Sequence, residues 1–432
     1  MTREDDDNGG PSDQMIVTET NPPTMEDKYH MTIILFYSLG VTSVIPTHFF
    51  PTATDYWMYK FRNPDFHGNY TEQNRTGMQA EFVADYSVVS NVSNVVFLVV
   101  TIIFLKRLSL VKRIMGALSG ALVMFAVTCM FVQVDTDDWQ RGFFVTTLVI
   151  GFLLTGFCAV FMVSLFQLVT RFPPIYLAAM LSGHSLCGIF ASLVQIFSLS
   201  IGAGSKTSGL TYFSIGMFFI FLTLVGFIIT LTKSLFFQYH LTKEVETVKP
   251  KVTKDLFLSV LNKLKYYLSS MIIVLGCTIM LHPGLLSLVV SVDKGNGKRW
   301  NDVFFVPVIT FLLHFSFDYI GREIAGYWKK PKNGLIIFIA SLLRAAFVPM
   351  FMLCNAQPRS HLPVIFDQDY AYIIFVIIFA FTNGYLVNLC VIHVPLATAE
   401  EEKPLAMILI IIFMLVSLGA CSFISSALVK SI

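Results

Sequence analysis

The stretch Phe315-Ser316-Phe317-Asp318-Tyr319-Ile320-Gly321-Arg322-Glu323 sets a carboxylate and a guanidinium four residues apart inside an otherwise apolar run. Positions i and i+4 of a helix share one face, so Asp318 and Arg322 can pair with each other and still offer donors and acceptors to a third group. A hydroxyl-rich ligand such as ribose suits that mixture of guanidinium N–H and carboxylate oxygen. The competing reading is an intrahelical ion pair that only steadies a bundle, since buried paired charges are often kept without a binding role.

Other polar residues in apolar runs are few. Arg344 stands alone in its segment and is expected to tie helices together through backbone carbonyls or a distant carboxylate. Five of the nine histidines, His48, His184, His282, His314 and His393, fall in apolar runs. Histidine titrates in the physiological range, but no carboxylate follows any of them at relay spacing, so they are expected as hydrogen-bonded core or pore-lining rings. His48 is the exception. It lies in Ile45-Pro46-Thr47-His48-Phe49-Phe50-Pro51, where two prolines free backbone groups that a cavity or a neighbour must satisfy. His282-Pro283-Gly284 marks a second break in the other half of the chain, and paired broken helices point to a solute pathway. The seven cysteines sit in apolar runs without a close CxxC pair and read as small core hydrophobes. HExxH, GxSxG, P-loop and paired-cysteine zinc patterns are missing, so neither an enzyme nor an ATP-driven pump is expected, and no cofactor or metal.

The elements that must position these residues follow from composition. The chain is 55% hydrophobic and 13% charged, whereas soluble domains run near one quarter charged. With 41 Phe in 432 residues and a net charge of +2, the apolar mass must face lipid, and no nucleic-acid partner is implied. Residues 1–29 are polar and read as a cytoplasmic tail without a cleavable signal; the lack of an acidic dileucine signal makes the plasma membrane the expected address. Uncharged runs long enough to cross a ~30 Å hydrocarbon core number eleven, near 30–54, 84–105, 114–134, 143–170, 175–201, 211–232, 268–292, 303–328, 335–354, 370–396 and 405–429.

Lys106, Arg107, Lys112 and Arg113 mark one short loop as cytoplasmic, and the next carries Asp135, Asp137 and Asp138. Sequons at Asn69 and Asn74 place the loop 56–83 outside if either is used. Alternation then puts the N-terminus inside and the C-terminus outside. The expected layout is a six-helix bundle over 30–232, a basic cytoplasmic linker over 233–265 and a five-helix bundle over 266–432, the arrangement of carriers that rock around a midplane site.

From about residue 35 to the C-terminus the chain resembles the equilibrative nucleoside transporter family. The resemblance rests on Phe317-Asp318-Tyr319-Ile320-Gly321-Arg322, Phe381-Thr382-Asn383-Gly384-Tyr385-Leu386, Ser182-Gly183-His184-Ser185-Leu186-Cys187-Gly188 and the segment 344–359. It implies an all-α, eleven-span, major-facilitator-like fold of two bundles and facilitative carriage of nucleosides by alternating access, with Asp318 and Arg322 at the sugar. It also implies an inner gate at Arg113 and Glu402, and an outer closure is expected near Pro51 and Pro283. Two positions depart from the family: its Pro-Trp-Asn is Pro46-Thr47-His48 here, and its base-contacting glutamine falls at Met162. Losing an aromatic plate and a bidentate amide alters the base side of the site and keeps the sugar side. A proton-coupled carrier, or one for nucleobases or organic cations, stands as the second reading.

Overall fold

Helices account for nearly all regular structure in the computed structural model, which describes residues 27–64, 75–104, 107–201, 204–242, 253–359, 361–399 and 401–432. The sequons at Asn69 and Asn74, and most of the 1–29 tail, lie outside the described residues. In chain order the elements are α1 (Met31–Thr42), α2 (Ile45–Thr52), α3 (Thr54–Lys60), α4 (Gly77–Phe104), α5 (Leu110–Gln133), α6 (Gln140–Val169), α7 (Pro174–Ser200), α8 (Ser205–Lys233), α9 (Leu235–Thr242) and α10 (Lys254–Leu281). Then follow two π-helical stretches (Trp300–Phe304 and Val306–Leu313) that run into α11 (His314–Trp328), and α12 (Gly334–Arg344), α13 (Phe347–Met352), α14 (Asp369–Leu396) and α15 (Lys403–Lys430).

Among the described residues, α4, α5, α6, α7, α8, α10, the α12–α13 segment, α14 and α15 are nine helices long and apolar enough to cross a membrane. The expected span 30–54 is two helices bent by 50°, α1 and α2. Pro46 opens α2, where its missing N–H costs nothing, and Ser43 at the break donates its hydroxyl to the Gly40 carbonyl at 2.6 Å. α4 begins before residue 84 because Thr76 and Gln79 cap it reciprocally: the Gln79 N–H donates to Thr76 Oγ1 and the Thr76 N–H to Gln79 Oε1. The expected span 268–292 is instead α10, started by Thr253 accepting the Leu256 N–H and ended ahead of Pro283, which disfavours helical backbone at His282. Part of the expected linker 233–265 is therefore helical, in α9 and the first turns of α10. Between Leu313 and Trp300 the turns widen around Pro307, which has no N–H to give.

Packing sorts the helices into two groups. α1 runs along α7 and α8, α4 along α6, and α5 along α6 and α8. In the second group α10 lies against α12, α14 and α15, and α11 against α14. Each group has a close crossing made by glycines. A Cβ on Gly183 would fall on the Tyr37 carbonyl, and one on Gly40 on the Met180 carbonyl, so α1 and α7 touch backbone to backbone. Gly321 and Gly384 do the same for α11 and α14, against the Phe381 and Asp318 carbonyls. Helices surrounded by lipid gain little from apolar burial, so such small-residue contacts supply the dispersion energy that holds them together.

The groups meet along α4–α15 and where α7 faces the second π-helical stretch and α11. Their polar links gather at the end that carries Trp57. There Lys430 pairs with Glu81 at 3.2 Å, Ser426 donates to Asp85 at 3.0 Å, Arg75 donates to the Gln357 carbonyl at 2.7 Å and Arg299 to the Leu199 carbonyl at 2.9 Å. Gly384→Ala is expected to destabilise the protein by about 1–3 kcal/mol through overpacking, read as a lower melting temperature in detergent. Gly326→Ala is the matched control, because its Cβ would meet only the Asn388 amide at an ordinary 3.7 Å.

Candidate functional site

Asp318 and Arg322 lie on α11 as the i, i+4 spacing predicts. Arg322 Nε donates to Asp318 Oδ2 at 2.8 Å. The other carboxylate oxygen, Oδ1, accepts from the Asn383 amide on α14 at 2.6 Å. The Asp318 side chain is 14% exposed and that of Arg322 32%, so the guanidinium faces open space with its Nη atoms unpartnered among the described residues. A fixed carboxylate beside a guanidinium with free N–H groups can hold a vicinal diol or another hydroxyl-rich solute.

Behind the carboxylate runs a polar chain. Asn383 Oδ1 lies 2.6 Å from the Thr278 hydroxyl on α10, and Thr278 in turn lies 2.9 Å from the Val274 carbonyl. That carbonyl also accepts from Arg344 Nη1 at 2.7 Å. Arg344 reaches the Phe379 carbonyl with Nη2 at 2.9 Å and Thr382 with Nε at 3.3 Å, and its guanidinium carbon sits 4.0 Å from the centre of the Phe379 ring. The expectation that Arg344 ties helices through backbone carbonyls is met: it joins α10, α12 and α14. Thr278 and Asn383 were missed as site residues. Asn383 lies inside the distinctive segment 381–386, and an amide in an apolar helix was the available signal.

Aromatic rings close the site toward the Trp57 end. The His48 ring, on α2, meets Phe315 edge-on at 4.7 Å, and it lies within electrostatic reach of Asp318 and Arg322. Phe315 also fills the space left by Gly188 on α7. His282 and His314 stack at 3.9 Å with planes 6° apart, and both touch Phe315. His282 Nε2 and His314 Nδ1 are buried without a hydrogen-bond partner among the described residues. His393 differs from these, bonding to the Lys329 carbonyl at the opposite end.

The remaining expected residues are more dispersed. Thr47 is exposed and donates its hydroxyl to the Val44 carbonyl at 2.8 Å. Met162 on α6 is half-buried against the core of the first group. Pro51 is buried within α2, and Pro283 follows α10 beside Gly284, whose Cα side packs on Ala84 and Ser425. Arg113 and Glu402 do not pair with each other here. Arg113 is buried and donates to Gln167 Oε1 at 2.5 Å, with Nε and Nη1 without partners among the described residues. Glu402 instead binds Lys263 at 2.7 Å and the Ala399 N–H at 3.1 Å. The Lys263 hydrogen bond holds the Glu402 carboxyl below its usual range, so the pair persists at neutral pH and is lost only as the pH falls through that lowered value.

A bundle of long lipid-compatible helices, with a polar cluster buried in the second packed group, defines a multi-pass membrane protein. A sequence profile described as Nucleoside transporter matches residues 148–255 and 245–430, and the chain belongs to that family. Similar proteins include equilibrative nucleoside transporter 2 of Homo sapiens, 29% identical over 93% of this chain and 98% of that protein. Equilibrative nucleoside transporter 1 of Homo sapiens is 27% identical over 94% and 98%, and equilibrative nucleoside transporter 3 of Rattus norvegicus is 26% identical over 91% and 87%. Membership of a transporter family agrees with the reading that the chain is a carrier and not an enzyme.

Arg344→Met should strip three acceptors of their charged donor and destabilise the protein by roughly 3 kcal/mol. Arg344→Lys should recover only part of this, because a single ammonium cannot span acceptors arranged for a planar fork. Thermal melting of the two variants in detergent checks both statements.

Proposed function

We propose that the chain carries nucleosides down their concentration gradient across the plasma membrane by alternating access, with the sugar held at Asp318 and Arg322. The observation that carries this reading is a carboxylate fixed on both oxygens beside a half-exposed guanidinium, in a chain of the nucleoside transporter family. Two hydrogen-bonding groups of opposite charge on one helical face match the donors and acceptors of a ribose diol. Next to them, the rings of His48 and Phe315 offer the nucleobase a mixed polar and aromatic wall. The cationic guanidinium in the site weighs against organic cations as cargo.

The proposed topology has eleven spans with the N-terminus cytoplasmic and the C-terminus outside. The nine long helices support it, with the bent α1–α2 pair and the continuous run from Trp300 through α11 as the other two. The halves would be 30–232 and 266–432, joined by the 233–265 segment. In this orientation the Trp57 end is outside, and its links between α4 and α15, and from Arg75 and Arg299, describe a carrier closed to the exterior. On the inner side Arg113, Arg171, Lys263 and Glu402 all bond within their own group. Inner closure would bring Arg113 toward Glu402 and require Lys263 to share or release it.

Uptake of labelled adenosine into proteoliposomes tests the assignment. The parent protein should equilibrate adenosine without ATP, and an imposed pH gradient should leave the final level unchanged. Asp318→Ala should lower uptake at subsaturating adenosine by at least about tenfold, the loss of one charge-assisted hydrogen-bonding group. Uptake by Asp318→Ala equal to that of the parent would overturn the reading. Expressed in animal cells, the protein should be labelled by a membrane-impermeant amine reagent at the cell surface, and the double substitution Asn69→Gln, Asn74→Gln should abolish any glycosidase-sensitive shift in its mobility.

A further inference from the structure

We propose that Asn383 and Thr278 act as a positioning relay that fixes the Asp318 carboxylate for sugar hydroxyls without touching the solute; this rests on the sugar site proposed above. Asn383 is 4% exposed and binds the Asp318 oxygen that Arg322 does not. A carboxylate only accepts, so the group that meets Asp318 Oδ1 at 2.6 Å must be the amide NH2 of Asn383. That settles the direction of the amide and turns Asn383 Oδ1 toward Thr278. The Thr278 oxygen lies 2.6 Å from this second acceptor, so its one proton must point at Asn383. The competing acceptor, the Val274 carbonyl, already receives Arg344 Nη1.

Each proton in the chain therefore has one satisfactory place. Thr278 donates to Asn383, Asn383 donates to Asp318 Oδ1, and Arg322 donates to Asp318 Oδ2 from the other side. The backbone is held as tightly as the side chains, because Gly384 lets α14 cross directly over the Asp318 carbonyl. With both oxygens anchored from different helices, the carboxylate plane is held, and each oxygen keeps a lone pair for a further donor. Preorganisation of this kind spares a bound sugar the ordering of the group that receives it.

The test compares adenosine with 2′,3′-dideoxyadenosine in proteoliposomes, using Asn383→Ala, Thr278→Val and Asp318→Asn. A relay acts only through the sugar hydroxyls, so the KM ratio of adenosine to dideoxyadenosine should rise about tenfold in Asn383→Ala and about threefold in Thr278→Val. Adding Asn383→Ala to Asp318→Asn should produce no further rise, because the group being positioned has already changed. If Asn383→Ala fails to fold, the Thr278→Val ratio decides, since that near-isosteric change keeps the core filled. Equal shifts for both nucleosides, or no shift, in the folded relay variants would overturn the relay. Should Asp318→Asn itself leave the ratio of the parent, the sugar site is wrong. If Asp318→Asn raises the ratio and the relay variants do not, the sugar site stands and only the relay fails.

Discussion

A carboxylate in the middle of a helical bundle is poorly solvated, and an unpaired charge there costs several kcal/mol. Asp318 meets that constraint by binding Arg322 through one oxygen and Asn383 through the other. Much of the second helical group can be understood from this requirement. Arg322 has to stand one turn below Asp318, Asn383 has to approach from α14, and α14 can come near enough only because residues 321 and 384 have no side chain. Thr278 and Arg344 then satisfy the acceptors that Asn383 and the neighbouring helices leave over. The second group is thus held by a connected set of hydrogen bonds in a setting where apolar burial alone discriminates poorly between arrangements.

The first group is built on other terms. Its close crossing, at Gly40 and Gly183, repeats the glycine-against-carbonyl contact of α11 and α14. Its interior, however, is a set of stacked and edge-on rings, with Phe49, Phe50, Tyr56, Trp57, Tyr86, Phe125 and Tyr212 among the buried side chains. Aromatic contacts are directional and fix these rings against one another. The polar functions consequently divide between the halves. The second carries the Asp318–Arg322 pair, and the first presents His48 against Phe315.

The contact between the halves is uneven along its length. Ion pairs and carbonyl contacts tie them at the Trp57 end, and the ring of Phe315 against Gly188 and His48 seals the level just beyond Asp318. Toward Glu402 the charged groups turn to partners in their own half. Such an uneven join is what the alternating access proposed above would act on.

The broad architecture was legible in the sequence because lipid imposes a length and a composition on every segment that crosses it. The apolar runs, the breaks at Pro46 and Pro283, and the shared face of Asp318 and Arg322 depend only on residues near one another in the chain. Helix ends were less legible: α4 and α10 extend beyond their apolar runs, since the Thr76–Gln79 and Thr253 caps lie in polar sequence. The role of Arg344 was legible in kind, as a lone charge among carbonyls, although its partners were not. Asn383, Thr278 and Phe315 acquired their places only in the tertiary structure, as did the separation of Arg113 from Glu402. Contacts such as Asn383–Asp318 and Lys263–Glu402 join residues 65 and 139 positions apart. Periodicity records which face a residue occupies on its own helix. Which helix that face meets is decided by packing, and here by the few positions where a missing Cβ lets two backbones touch.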